Sequence, residues 1–122
     1  MTKTILAIDD SASVRLMVKM TLSGAGYNVV EAVDGEQGLE MARSCRPDAV
    51  LTDQNMPRLD GIGFIRKFRQ MQESEGVPVV FISTESDSNV VQQARSAGAT
   101  GWIVKPFDQE KLLSVVGKLV KL

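Results

Sequence analysis

The sequence predicts a doubly wound α/β fold, with five parallel strands in one sheet and helices on both faces. Three observations predict it. Five short runs rich in Val and Ile recur along the 122 residues, and several are continuously apolar, as strands buried on both faces of a parallel sheet require. Segments of helical length separate them, with apolar residues recurring about every 3.6 positions. The runs also end in polar or charged residues, at the edge of such a sheet where ligands bind.

Taken in order, "TILAI" (4–8) is the first strand, and Asp9-Asp10 follow it. Val14, Met17, Val18 and Leu22 form the buried stripe of a first helix, which "GAG" (24–26) terminates. "YNVVEA" (27–32) is the second strand, and Asp34-Gly35 opens the second helix. "AVLTD" (49–53) is the third strand and stops at Asp53. Asp60 is then the N-cap of a helix whose stripe is Phe64, Ile65, Phe68 and Met71. "VPVVFIS" (77–83) is the fourth strand, and Gly98 closes the helix after it. "GWIVK" (101–105) is the fifth, followed by a helix with Leu112, Val116, Leu119 and Val120 inward. Right-handed crossovers place helices on both faces of the sheet. One domain over 1–122 is expected, with no linker and no low-complexity tract.

Composition narrows the chemistry. A net charge of −1 gives no global attraction to nucleic acid or anionic membrane. The single Cys45 excludes an internal disulfide and a Cys-rich zinc site. There is no His, which removes imidazole as base or metal ligand and leaves carboxylates, Lys, Ser and Thr. No leader and no membrane-length apolar run is seen, so a cytoplasmic location is expected.

The strand ends carry the site. Asp9-Asp10 follow the first strand, Asp53 ends the third, Ser83-Thr84 the fourth and Lys105-Pro106 the fifth. All of them belong at one edge of the sheet. Two carboxylates about 4 Å apart repel by roughly 4 kcal/mol at an effective dielectric of about 20. Lys105 offsets one of three, and a divalent cation resolves the rest. All-oxygen ligands point to Mg²⁺ or Mn²⁺. An acid cluster, a cation, a hydroxyl and a lysine suit a phosphoryl group, with Asp53 as the nucleophile because it stands alone on the central strand. Singly, each residue has a plainer reading: Asp9-Asp10 as a helix cap, "STES" (83–86) as a capping box, Lys105 as a surface lysine. Four complementary groups, each on the right strand, favour the site.

The segments "AIDDS" (Asp9, Asp10), "LTDQNMPRLDG" (Asp53, Asn55, Pro57, Asp60, Gly61), "FISTES" (Ser83, Glu85) and "GWIVKPF" (Trp102, Lys105, Pro106, Phe107) carry a resemblance. In this order and spacing they resemble the receiver domain of two-component response regulators, and within it the single-domain, CheY-like chemotaxis regulators. The resemblance covers essentially the whole chain and implies a flavodoxin-like (βα)5 fold with strand order 2-1-3-4-5. It implies that Asp53 accepts phosphate from a histidine kinase. Asp10, Asp53 and the Asn55 backbone carbonyl would ligate Mg²⁺ (or Mn²⁺), with Asp9 acting through water. Lys105 would contact the phosphoryl group, Ser83 would be the switch hydroxyl, and the Lys105-Pro106 bond would be cis. Asn55, Thr84 and Glu85 would tune phosphate lifetime.

Three positions depart from the family pattern: Thr84 where Ala or Gly is frequent, Trp102 where Tyr or Phe is usual, and Gln54 beside the acceptor. Trp102 takes the switch-aromatic position, and with Val91 and Val115 it is expected to form an apolar output patch. The implied function is a phosphoacceptor switch rather than an enzyme, assisting only its own phosphorylation and dephosphorylation. A monomer is expected, with a histidine kinase as donor, a flagellar motor switch protein as target and a phosphatase as a further partner. The alternatives are a phosphate sink or a phosphorelay intermediate. A haloacid dehalogenase-type phosphatase would place D-x-D on the first strand, and an FMN carrier would need a phosphate loop where "DDSASVR" stands.

Overall fold

The computed structural model describes residues 2–84 and 88–121. Five strands, β1 (Thr4–Ile8), β2 (Asn28–Ala32), β3 (Ala49–Asp53), β4 (Val79–Ser83) and β5 (Gly101–Val104), alternate with five helices. These are α1 (Ala12–Gly24), α2 (Gly35–Cys45), α3 (Gly61–Arg69), α4 (Ser88–Ala97) and α5 (Gln109–Leu119), with a short 3-10 turn at Gln72–Ser74. All strand pairings are parallel and the order is β2-β1-β3-β4-β5, the doubly wound arrangement expected. Among the described residues no helix is long and apolar enough to cross a membrane.

The continuous apolar runs are explained by two core layers. Successive side chains on a strand point to opposite faces. Ile5 and Ala7 of β1, with Val80 and Ile82 of β4, therefore pack with Val18, Leu22, Leu112 and Val116 of α1 and α5. Leu6, Ile8, Val79 and Phe81 pack instead with Ala42, Phe64, Ile65, Phe68 and Ala94 of α2 to α4. Every residue of β3 and β4 is buried.

Local signals explain most element boundaries. Asp34, Asp60 and Asp108 cap α2, α3 and α5 by accepting from the backbone N–H three residues on. Several expected boundaries move by one or two residues. Tyr27 is outside β2 because its N–H closes α1 onto the Leu22 carbonyl, while its hydroxyl donates to the Val120 carbonyl. β4 opens at Val79, after Pro78, which has no N–H for the ladder. Met71 lies past the end of α3, half-buried against the same core layer. Val14, Met17 and Leu119 are likewise only half-buried.

Two features reach toward the site edge or away from it. Gly61, first in α3, sits so close to the Asp53 carbonyl that an added Cβ would collide with it. At the opposite edge, Arg69 donates through Nε and Nη2 to the Gly98 carbonyl (3.0 and 2.9 Å) and through Nη1 to the Ser74 carbonyl (2.8 Å). The end of α3 is thereby fixed to the turn that follows α4. Replacing Gly61 with Ala should lower the unfolding free energy by about 1–3 kcal/mol, read from the urea midpoint, because backbone cannot move aside as a flexible side chain would.

Candidate functional site

The sheet brings the strand-end residues together. Asp53 is the last residue of β3 and 7% exposed, and Asp9 follows β1 at 4% exposed. Asp10, next along, is exposed. The three carboxylates each offer an oxygen within 4.8 Å of the others. Lys105 reaches them from beyond β5. Its Nζ stands 2.9 Å from Asp9 Oδ2 and 3.2 Å from Asp53 Oδ1. The Lys105-Pro106 bond is cis, and the Lys105 N–H continues the ladder to the Ser83 carbonyl at 2.9 Å. Ser83 is fully buried at the end of β4, and Thr84 beside it is exposed. Asn55 is exposed on the loop after β3, and Glu85 lies outside the described residues.

The two adjacent acids are held differently. Asp9 Oδ1 accepts from the Ser11 N–H at 2.9 Å, and Oδ2 is engaged by Lys105. Its backbone is pinned as well, since the N–H donates to the Ala32 carbonyl and its own carbonyl accepts from Arg15 Nη1 at 2.6 Å. Among the described residues Asp10 has no hydrogen-bond or ion-pair partner. Burial, then the charge on Asp9, push the Asp53 carboxyl above its ordinary value, and Lys105 only partly opposes them. For Lys105, burial disfavours the ammonium, but the Asp9 hydrogen bond and the charges on Asp9 and Asp53 outweigh it and raise its value.

Three carboxylates against one ammonium leave a formal charge of −2 in this group. All donors are hard oxygens, and Asp10 is uncommitted, so the set fits a divalent cation of the Mg²⁺ class. The loop over the site is braced by Gln54, a residue whose role the sequence did not disclose. Its side-chain oxygen accepts from the Ile62 N–H at 2.9 Å and its Nε2 donates to Asp60 at 3.2 Å, while its carbonyl takes the Gly61 N–H. Arg15 is another such residue, because only the fold brings a helix side chain back to the Asp9 carbonyl.

The proposed output residues are less closely grouped. Trp102 on β5 is half-buried against the α2–α4 layer, whereas Val115 packs on the α1/α5 layer at the other face of the sheet. Val91 is half-buried on α4. Trp102 instead borders a hollow of about 410 Å³ with Val104, Pro106, Phe107, Asp108 and Lys111. Its Nε1 is buried with no hydrogen-bond partner among the described residues.

The response regulator receiver domain model matches residues 5–117. The Pseudomonas aeruginosa chemotaxis protein CheY is 34% identical over 94% of each chain. The Vibrio cholerae chemotaxis regulator CheY4 has a solved structure that superposes with a TM-score of 0.94 at 38% identity, covering 98% of this chain and all of that one. The CheX-CheY-BeF3-Mg complex of Borrelia burgdorferi contains a chain 28% identical, with a TM-score of 0.88 and coverage of 98% and 90%. Other curated relatives are longer, and the chain spans between 15% and 50% of their length.

The raised Asp53 value fixes a sign. A carboxyl raised on folding disfavours the fold once ionised, fully above its folded value and not at all well below the unfolded value of 3.8. In EDTA at pH 7, Asp53→Asn should therefore melt higher than the wild type. The difference should fade as the pH falls toward 3.8, and Mg²⁺ should raise the melting temperature of the wild type only.

Proposed function

The chain belongs to the response regulator receiver domain family, and on that premise we propose that it is a phosphorylation switch in which Asp53 takes a phosphoryl group from a histidine kinase in a Mg²⁺-dependent reaction. The observation that supports this most is Lys105 bridging Asp9 and Asp53 beside the uncommitted Asp10. An Asp53 oxygen attacks phosphorus, the P–N bond of the phosphohistidine breaks, and the imidazole leaves, giving an acyl phosphate. Asp10, Asp53 and the Asn55 carbonyl would hold the Mg²⁺ (or Mn²⁺), with Asp9 acting through water, and the cation would supply neutralising charge for the phosphoryl oxygens. Asp9 suits the indirect role because its oxygens are already engaged by Ser11 and Lys105.

Lys105 neutralises charge developing on the phosphoryl oxygens, and the Ser83 hydroxyl donates to one of them after transfer. Thr84, exposed at the mouth, narrows the approach of water, and with Asn55 and Glu85 it sets the lifetime of the acyl phosphate. Output runs through Trp102, with Val91 on α4. The buried, unmatched indole N–H gives Trp102 a reason to change pose, since such a group costs about 1–3 kcal/mol.

Residues 1–122 act, in this reading, as one receiver domain, monomeric and cytoplasmic, that signals by protein contact. The CheY relatives favour a chemotaxis role; in that role the target is a flagellar motor switch protein, and a phosphatase resets the switch. Labelling by acetyl phosphate with Mg²⁺, followed by mass, tests the central step. Asp53→Asn should abolish the added phosphate, and Lys105→Met should slow its appearance by roughly 100-fold, the scale of losing one charge-stabilising donor. Undiminished labelling of Asp53→Asn would refute the assignment.

A further inference from the structure

The loop between β3 and α3 is tied at its middle as well as its ends. Its ends are closed by the Gly61 N–H on the Gln54 carbonyl and by the Gln54 side chain on α3. Its middle is bound to the turn between β2 and α2. Arg58 Nη1 lies 2.6 Å from Asp34 Oδ2, and the Gly35 N–H donates to the Leu59 carbonyl at 3.1 Å. A Cβ on Gly35 would stand 2.5 Å from that same carbonyl, so turn and loop meet backbone to backbone.

Arg58 does not hold this position by burial or by local preference. Its side chain is 64% exposed, and its backbone lies in the left-handed region at φ 68°. A residue with a Cβ persists there when its surroundings hold it. Asp34 is the anchor. It is 2% exposed, and its other oxygen caps α2 by accepting from the Gln37 N–H at 2.8 Å. The Gln37 N–H first, and Arg58 after it, keep the Asp34 carboxyl below its ordinary value despite burial.

We infer that Arg58 and Asp34 form a clamp that positions the β3–α3 loop, and with it the Asn55 carbonyl, for binding a divalent cation. This rests on the metal reading of the site given above. Arg58 is a positioning residue, acting through the loop. With Arg58 64% exposed, the pair is screened by solvent on one side and contributes modestly to global stability, so its effect falls mainly on local geometry.

Electrostatics alone predicts the opposite sign, which makes the inference testable. Removing a cation from the neighbourhood of an acid cluster favours Mg²⁺, whereas releasing the clamp disfavours it. Mg²⁺ binding is measured by titration calorimetry on the wild type, Arg58→Asn, Arg58→Lys, Asp34→Asn and Asp10→Ala. Asn tolerates the left-handed backbone at 58 and remains a good helix cap at 34. Arg58→Asn should weaken Mg²⁺ about three- to tenfold, at or below the lower end for groups that orient metal ligands. Arg58→Lys should recover most of this. The Arg58→Asn/Asp34→Asn double variant should be no weaker than the worse single variant. Amide exchange at Gly35 and Gly61 should quicken in Arg58→Asn by more than any fall in the urea midpoint accounts for. Mg²⁺ affinity unchanged or tightened in Arg58→Asn, with Asp10→Ala impaired, overturns the clamp and leaves the metal reading standing. A wild type that does not bind Mg²⁺ overturns both.

Discussion

The site depends on a single ammonium set between two nearly buried carboxylates. Asp9 and Asp53 come from different strands and are drawn to within reach of one Lys105 Nζ. Without that charge, β1 and β3 would end on two facing anions with little water to screen them. With it, the pair is tolerable, though burial and then the charge on Asp9 still hold the Asp53 carboxyl above its ordinary value. Asp10 then adds a further negative charge at the open side. The protein holds an unfinished charge balance at the sheet edge, which a divalent cation is suited to complete.

The rest of the fold keeps that balance in place. The parallel register sets the ends of β1, β3 and β4 side by side, and two dry layers of Val, Ile, Leu and Phe fix the register. A one-residue slip would reverse every buried side chain. Around the acids, the contacts are largely backbone contacts: Asp9 to Ala32, Gln54 to Ile82, Gly61 to Gln54 and Lys105 to Ser83. The charged groups thus rest on a frame held largely by backbone hydrogen bonds.

The sequence showed the strands, the Asp34 and Asp60 caps and the convergence of Asp9, Asp10, Asp53, Ser83 and Lys105 because each has a local signature. An apolar run ending on a polar residue is visible in a window of a few letters. Contacts between such windows were not visible. Asp34 was legible as a helix start, but nothing marked Arg58, 24 positions away, as its partner. Gln54 stood out only as a departure from pattern, and its bracing of α3 needs coordinates. Trp102 and Val115 were grouped by helix and strand adjacency, whereas the sheet itself separates the layers they pack against. Boundaries moved where one backbone group decided the matter, as at Pro78 and Tyr27.

The attachment of Arg69 to the Gly98 carbonyl gives α4 a fulcrum. The helix buries Ala94 fully and little else, so it is lightly seated along its length and fastened at its C-terminal end. Ten residues make an arm of roughly 15 Å. A displacement at Ser88, the end nearer β4, therefore becomes a tilt rather than a slide, largest at the start of the helix and vanishing at the turn into β5. Val90 and Val91 would travel far on such an arc, while Ala97 would hardly move.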